Sequence, residues 1–554
     1  MAVLLIVFSI AIALLALPAI RTFKNYEKAR TIGLPIVFSP FDTMSPFWAL
    51  FGPRLAPLFK RLPFGLGNVV RHSGFAFYWD DRYRMHEQYG PALCVVTPGD
   101  VQVVIADGAT ADDMLARRKD FIKCPAMYQP LELFGPNVDS VNGEIWQRHR
   151  RLTTPPFNER NSSFVWRESL AQASGMLKTW VKAGKDGVIK TPNDTLTLAL
   201  HVLTAAGFGK SYEFDAGLAK LDDGHTLSYR DALRVVLQNL FVSIIITSVN
   251  LPRVLLPKSM KDVKQAIAEF KEYMVEMVEE EKSLVHQKEE EKDNLMSVLV
   301  RASETEAGGR NGLSNDEIYG NLFIYNLAGH DTTAHTLGYA ITLMATDPGL
   351  QTWIREELEY VFGGKEVVEE GDYEKAFPQL KRCLALMYET LRLYGPIIVI
   401  PKYTGDSSTK LAIAGKEYTI PADTHTPINV AALNTLPMYW GHDSLVFRPD
   451  RWVNNPNPTT NLSSEELFQP APGVFVPWAA GPRVCPGKKF AQVEFVAVIS
   501  RLFRKHNVRP VLEEGETFDD AKKRIFDVVE DSHLVITLQM KHPEKIRLIW
   551  EEVA

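Results

Sequence analysis

The stretch Gly481–Phe490, GPRVCPGKKF, places a cysteine in a loop of Gly, Pro and Arg, directly before the helical pattern KKFAQVEFVAVISRLF. Free cysteines are mostly buried and act as small apolar groups. Cys485, in a tight turn beside a positive charge, asks for another reason. A thiolate there has two sources of stabilisation: the amide end of the helix that begins near Lys488, and Arg483 two residues earlier. Gly481 and Gly487 leave room for backbone to pass closely under a flat ligand. Arg483 suits a carboxylate on that ligand.

No Cys or His partner lies near Cys485. A lone thiolate fits an iron that already has four other ligands, which is haem with a proximal cysteine. With that reading, five motifs fall into a known order. WAAGPRVCPG, Trp478–Gly487, resembles the haem-binding signature of the cytochrome P450 family, with Trp478 where the family usually carries Phe. ETLR, Glu389–Arg392, is similar to its ExxR element, and FRPDRW, Phe447–Trp452, supplies Arg451. The resemblance implies that Glu389, Arg392 and Arg451 form a buried structural cluster that holds the cysteine loop.

AGHDTT, Ala328–Thr333, resembles the family's oxygen-activation motif. Unaided, it reads as an ordinary helix turn. The resemblance implies that Ala328 and Gly329 lie against the haem, with Gly329 leaving room over the iron. Asp331 and Thr332 then relay protons. WQRHR, Trp146–Arg150, resembles the WxxxR element, which implies that Trp146 and Arg150 contact a haem propionate. Lys402 stands where the family often has Arg or His for the same purpose.

Taken together, the resemblance implies a mainly α fold with small β-sheets, and haem b between a long central helix and the cysteine loop, with Cys485 as axial ligand. It implies a monooxygenase acting with O2 on a lipophilic small molecule. Electrons come from NADPH through a separate NADPH-cytochrome P450 reductase, because the chain has no GxGxxG fingerprint of its own. Cytochrome b5 is a second candidate donor. The FRPDRW pattern, the long chain and the N-terminal run are similar to filamentous-fungal members, which points to secondary-metabolite biosynthesis.

Two alternatives compete. One is a reductase-independent haem-thiolate isomerase or dehydratase, against which the Asp331-Thr332 pair weighs. The other is a non-enzymatic membrane haem sensor, against which the motifs outside the cysteine loop weigh. A diiron desaturase needs clustered His motifs, and the 13 His are scattered.

The elements that position these residues are partly legible. SNDE at Ser314–Glu317 is a capping box, so a long helix starts there and carries AGHDTT in its middle. Gly and Thr are poor interior choices for a helix, a local conflict of the kind that gathers at functional sites. ALCVVTPGDVQVVIA around 92–105 reads as strands about a Pro-Gly turn, and LAIAGKEYTI, Leu411–Ile420, as a hairpin around Gly415. The uncharged run Val235–Leu251 is too polar to span a membrane. It is either a buried helix or a surface that dips into lipid.

Ala2–Ile20 carries no charge and is followed by Arg21, Lys24, Lys28 and Arg30. As a helix it measures about 28 Å, against a hydrocarbon core of roughly 30 Å. We expect a transmembrane anchor over 1–20, a membrane-proximal segment over 21–75 and a catalytic domain over 76–545. The flanking charges place that domain in the cytosol, on the endoplasmic reticulum membrane. Net charge is -6 with no basic stripe for nucleic acid, and the four cysteines form no CxxC pair.

Overall fold

The computed structural model describes residues 2–42, 45–59, 61–62, 70–74, 76–214, 224–249, 256–287, 294–305, 312–363, 372–454 and 462–553. Helices dominate, with small sheets among them.

The long helix spans Asn315–Met344. Its start is the capping box read from SNDE: Glu317 N donates to Ser314 Oγ at 3.3 Å, and Ser314 N donates to Glu317 Oε2 at 2.9 Å. It runs through the core against helices Thr191–Phe208, Lys381–Tyr394 and Lys488–Phe503. The threonines spend their hydroxyls on the preceding turn: Thr332 Oγ1 donates to Ala328 O and Thr336 Oγ1 to Thr332 O, each at 2.8 Å.

The main sheet has the order Ile36–Phe38, Ala92–Val96, Val101–Ile105, Ile428–Asn429, Val399–Ile400. Ala92–Val96 pairs antiparallel with Val101–Ile105, and every residue of both strands is buried, so both faces are covered. The expected hairpin forms as Thr409–Ile413 and Lys416–Ile420. Ala414 and Gly415 take φ of 47° and 79°, the double positive φ of a two-residue turn matched to strand twist.

Val235–Leu251 is interrupted at Asn239, between helices Tyr229–Gln238 and Leu240–Val249. Val236, Ser243 and Ile246 are buried and Ile245 is exposed, so the run has a covered and an open side; residues 250–251 lie outside the described ones.

A helix covers Ala2–Ile32. Its far end docks on the protein: Ala29 and Ile32 are buried, and Asn25 Nδ2 donates to Thr97 O at 2.9 Å. The side chains of 2–15, on which the anchor expectation rests, lie outside the described ones. Among the described residues no helix is long and apolar enough to cross a membrane.

Candidate active site

The cysteine loop is a packed turn. Cys485 N donates to Trp478 O at 2.9 Å, and the helix Lys488–Phe503 starts at Gly487 as expected. Gly481 has φ +65°, and a Cβ there would stand 2.5 Å from Leu115 O. The glycine is therefore required by the neighbouring helix Gly108–Ala116, which corrects the expectation that it faces a ligand. At Gly487 a Cβ would stand 3.8 Å from Cys485 Sγ, so the bare backbone there does border the sulfur. Burial pushes the Cys485 thiol up; the Gly487 amide, Arg150 and Lys123 pull the other way without prevailing. A metal at the sulfur would favour the thiolate.

Behind the loop, Glu389 gathers five donors. Arg392 donates through Nε and Nη2, each at 2.8 Å, and Arg451 Nε donates at 3.0 Å. Arg448 N and Trp452 Nε1 complete the set at 2.7 and 2.9 Å. The side chains of Glu389 and Arg392 are fully buried and that of Arg451 nearly so. Tyr388, one residue earlier, meets the Trp478 ring edge-on at 6.0 Å and accepts from Gln492 Nε2 at 2.9 Å. The cluster's helix thus touches both the cysteine loop and the helix that follows it.

Cys485 opens onto a cavity of about 1820 Å³. That exceeds the roughly 300–1,000 Å³ of a one-ligand pocket, so a flat macrocycle and an organic molecule both have space. Trp146, Arg150, Lys402, Trp478, Arg483 and Gly487 all border it. Met127, Leu131, Val138, Ile324, Leu327 and Ile397 add apolar wall.

Cations collect at one end. Arg483 Nη2 donates to Val141 O at 2.7 Å and to Asn142 Oδ1 at 3.0 Å, whereas its Nη1 is buried with no partner. The guanidinium lies over the Trp146 ring, 4.8 Å from its centroid. Lys402 is 3 % exposed; burial, then Lys123 and Arg483, push its ammonium down to about 7. Asp139, paired with Lys123, is the acid that acts on Lys123, Lys402 and Arg483 together. This is a positive, desolvated pocket short of carboxylates, with an arginine nitrogen still to be satisfied. Haem, with two propionates and an iron for Cys485, fits that donor set.

The central helix contributes Ala328, Gly329 and Thr332 to the cavity wall, but not Asp331. Asp331 Oδ2 accepts from Thr537 Oγ1, and Oδ1 lies 3.4 Å from His335 Nε2. Burial would raise its carboxyl, yet His335, His330 and Thr537 bring it down to about 2. A Cβ on Gly329 would meet Leu203 at 2.9 Å. Gly329 and Leu203 both border the cavity, so the missing side chain leaves space there.

Sequence reasoning missed Lys123, Leu203 and the C-terminal hairpin Ser532–Leu534 with Leu538–Met540, whose turn supplies Thr537. RRKDFIKCP around Lys123 reads as a solvated charged stretch, and nothing local marks the burial.

One cavity therefore joins the cysteine loop and the capped central helix, and the helix that carries the buried Glu389-Arg392 pair packs on that loop through Tyr388. Residues 57–530 match the family model described as Cytochrome P450. The chain belongs to the cytochrome P450 family. It is 30% identical to "Cytochrome P450 monooxygenase AOL_s00215g278" of Arthrobotrys oligospora, covering 98% of each chain. It is also 30% identical to the "Phomenoic acid biosynthesis cluster cytochrome P450 monooxygenase" of Leptosphaeria maculans, over 91% of this chain and 92% of that one. Its fold is similar to a zebrafish cytochrome P450 solved with abiraterone, with a TM-score of 0.62 at 17% identity, covering 85% of this chain and 98% of that one. This P450 is a monooxygenase like its fungal relatives, and the family's haem-thiolate iron is the group its residues suit.

Proposed function

We propose that this P450 inserts one oxygen atom from O2 into a lipophilic organic substrate, by hydroxylation, epoxidation or a related oxidation, in the making of a fungal secondary metabolite. The carrying observation is Cys485 opening onto a large cavity with apolar walls on one side and Arg483, Lys402 and Arg150 on another. Bound there, haem supplies the binding and activation of O2.

The chain's own residues do the rest. Cys485 ligates the iron, and Arg150, Arg483 and Lys402 neutralise the propionates, with Trp146 stacked under Arg483. Trp478 and Gly487 shape the space beside the sulfur. Glu389, Arg392 and Arg451 hold the loop. The apolar walls exclude water and orient the substrate, and Asp331 and Thr332 manage proton delivery along the central helix. Ala328 and Gly329 form the adjoining wall.

Electrons come from NADPH through a separate NADPH-cytochrome P450 reductase, with cytochrome b5 as a further donor. The anchor over 1–20 holds the catalytic domain, 76–545, at the cytosolic face of the endoplasmic reticulum. The uncharged run and the basic residues after it support this placement.

The test is the absorption spectrum of reduced, carbon-monoxide-treated membranes carrying the chain, beside Cys485→Ala. A strongly red-shifted Soret band that the variant loses is the expected result. Full haem incorporation and activity in Cys485→Ala would overturn the assignment.

A further inference from the structure

The C-terminal hairpin lies along the central helix and borders the cavity. Near its turn Thr537 Oγ1 donates to Asp331 Oδ2, and near its base Ser532 Oγ and Tyr339 Oη lie 2.6 Å apart. These two ties are about 12 Å apart along the helix, at about 1.5 Å per residue. The hydroxyls on this side of the cavity are spent. Thr332 donates to Ala328 O and Thr336 to Thr332 O, each at 2.8 Å, and Ser532 donates to Val529 O at 2.6 Å. Thr537 has given its proton to Asp331. A hydroxyl carries one proton, so none of these four is left to donate to a bound molecule.

His533 differs. It stands on strand Ser532–Leu534 opposite Gln539, is half-buried and borders the cavity. Its Nδ1 is buried with no partner, and among the described residues nothing bonds its Nε2, the ring nitrogen left open. Burial, then the charge of Lys541, hold the imidazole below its usual value, so the ring is neutral near pH 7 and carries one N–H. Orphaned buried N–H groups are rarer than under-used acceptors, which puts that proton on Nε2. The ring also feels His542, with Asp531 opposing, and Lys541 and His542 border the cavity too. Such surroundings admit an oxygen acceptor, charged or neutral.

We propose that His533 is a specificity-determining residue, and that the substrate is a lipophile with a carbonyl or carboxylate oxygen that accepts from His533 Nε2. This rests on the monooxygenase reading and names the substrate class for it. The apolar body lies against Leu203, Ile244, Ile324 and Leu327, which border the same cavity. His533 adjoins Ser532, at the end of the hairpin away from Thr332, so the oxygen is held remote from Thr332 and a distant carbon of the substrate is presented there.

The test uses holoprotein and imidazoles bearing alkyl chains of graded length, each ending in a methyl, a methyl ester or a carboxylate. The imidazole ligates haem iron and shifts the Soret band, so affinity is read without a known substrate. At the length that reaches His533, the ester or the acid is expected to bind about fivefold or more tightly than the methyl-ended chain. A gain with the ester makes a neutral carbonyl sufficient; a gain with the acid alone assigns a carboxylate. His533→Leu should abolish the gain. His533→Gln, which keeps an N–H near the Nε2 position, should retain part of it, and the methyl-ended chain should bind both variants as it binds wild type. No gain at any length, a gain that survives in His533→Leu, or a loss shared equally by all three probes overturns the proposal. His533→Phe carries the same readings should His533→Leu not fold. The red-shifted carbon-monoxide band of each variant reports separately on the haem-thiolate assignment, so failure of that reading is distinguishable from failure of this one.

Discussion

Arg483 lays its guanidinium over the Trp146 ring at 4.8 Å, and one of its terminal nitrogens is buried with no acceptor. The two come from segments far apart in the chain and meet only at the cavity. An unsatisfied buried donor of this kind costs about 1–3 kcal/mol, so the chain alone leaves this corner unfinished. A bound carboxylate completes it.

The first prediction follows from that corner. A hydrogen bond to a charged group contributes about 1.5–3 kcal/mol. Arg483→Leu and Lys402→Met should therefore each speed haem loss by about tenfold to a hundredfold, and the double variant more. Transfer of haem to an acceptor protein measures it. Variants that hold haem as tightly as wild type would remove these residues from the propionate cradle.

Glu389 compensates two buried arginines at once. Removing one partner of a buried ion cluster costs about 3–5 kcal/mol, because the other charge stays behind. Glu389→Gln should lose about that much against urea, with poor retention of haem. A loss below 1 kcal/mol would show that Arg392 and Arg451 find other acceptors.

The Asp331 carboxyl, held down at about 2 from 3.8, gives a pH prediction. A depressed carboxyl adds stability above its unfolded value and loses it as pH falls through the folded one. The contribution is about 2 kcal/mol. Asp331→Asn should be less stable than wild type by that order at pH 6, and the gap should close as pH drops from about 4 to 2. A gap that is constant across that window would mean Asp331 does not titrate as described.

Thr332 borders the cavity and its hydroxyl sits on Ala328 O. Thr332→Ala removes that hydroxyl without disturbing the helix, since Ala has the higher propensity. Haem content should stay, and peroxide released per NADPH should rise several-fold at the expense of product. Unchanged coupling between NADPH and product would take Thr332 out of proton delivery.

Much of this site could be read from the chain because its signals are local. Cys485 and the helix after it, the Ser314-Glu317 capping box, the hairpin at Gly415 and the Glu389-Arg392 spacing each involve a few neighbouring residues. Backbone sterics, helix period and orphan amides dictate their geometry with little help from elsewhere. That locality is why the long helix and the cysteine loop appear in the fold where the sequence puts them.

Other features depended on contacts between distant segments. Gly481 is a glycine because of the Leu115 backbone, and that neighbour is not visible from the motif itself. Lys123 reads as a surface charge until packing buries it beside Asp139 and Arg483. Asp331 belongs to the proton motif by position, but Thr537 decides which way it faces. Residue types and spacings along the chain determined which chemistry this protein carries. Tertiary packing decided which charges are desolvated and which partners each carboxylate takes, because burial and orientation are set by the whole set of neighbours and not by the next few residues.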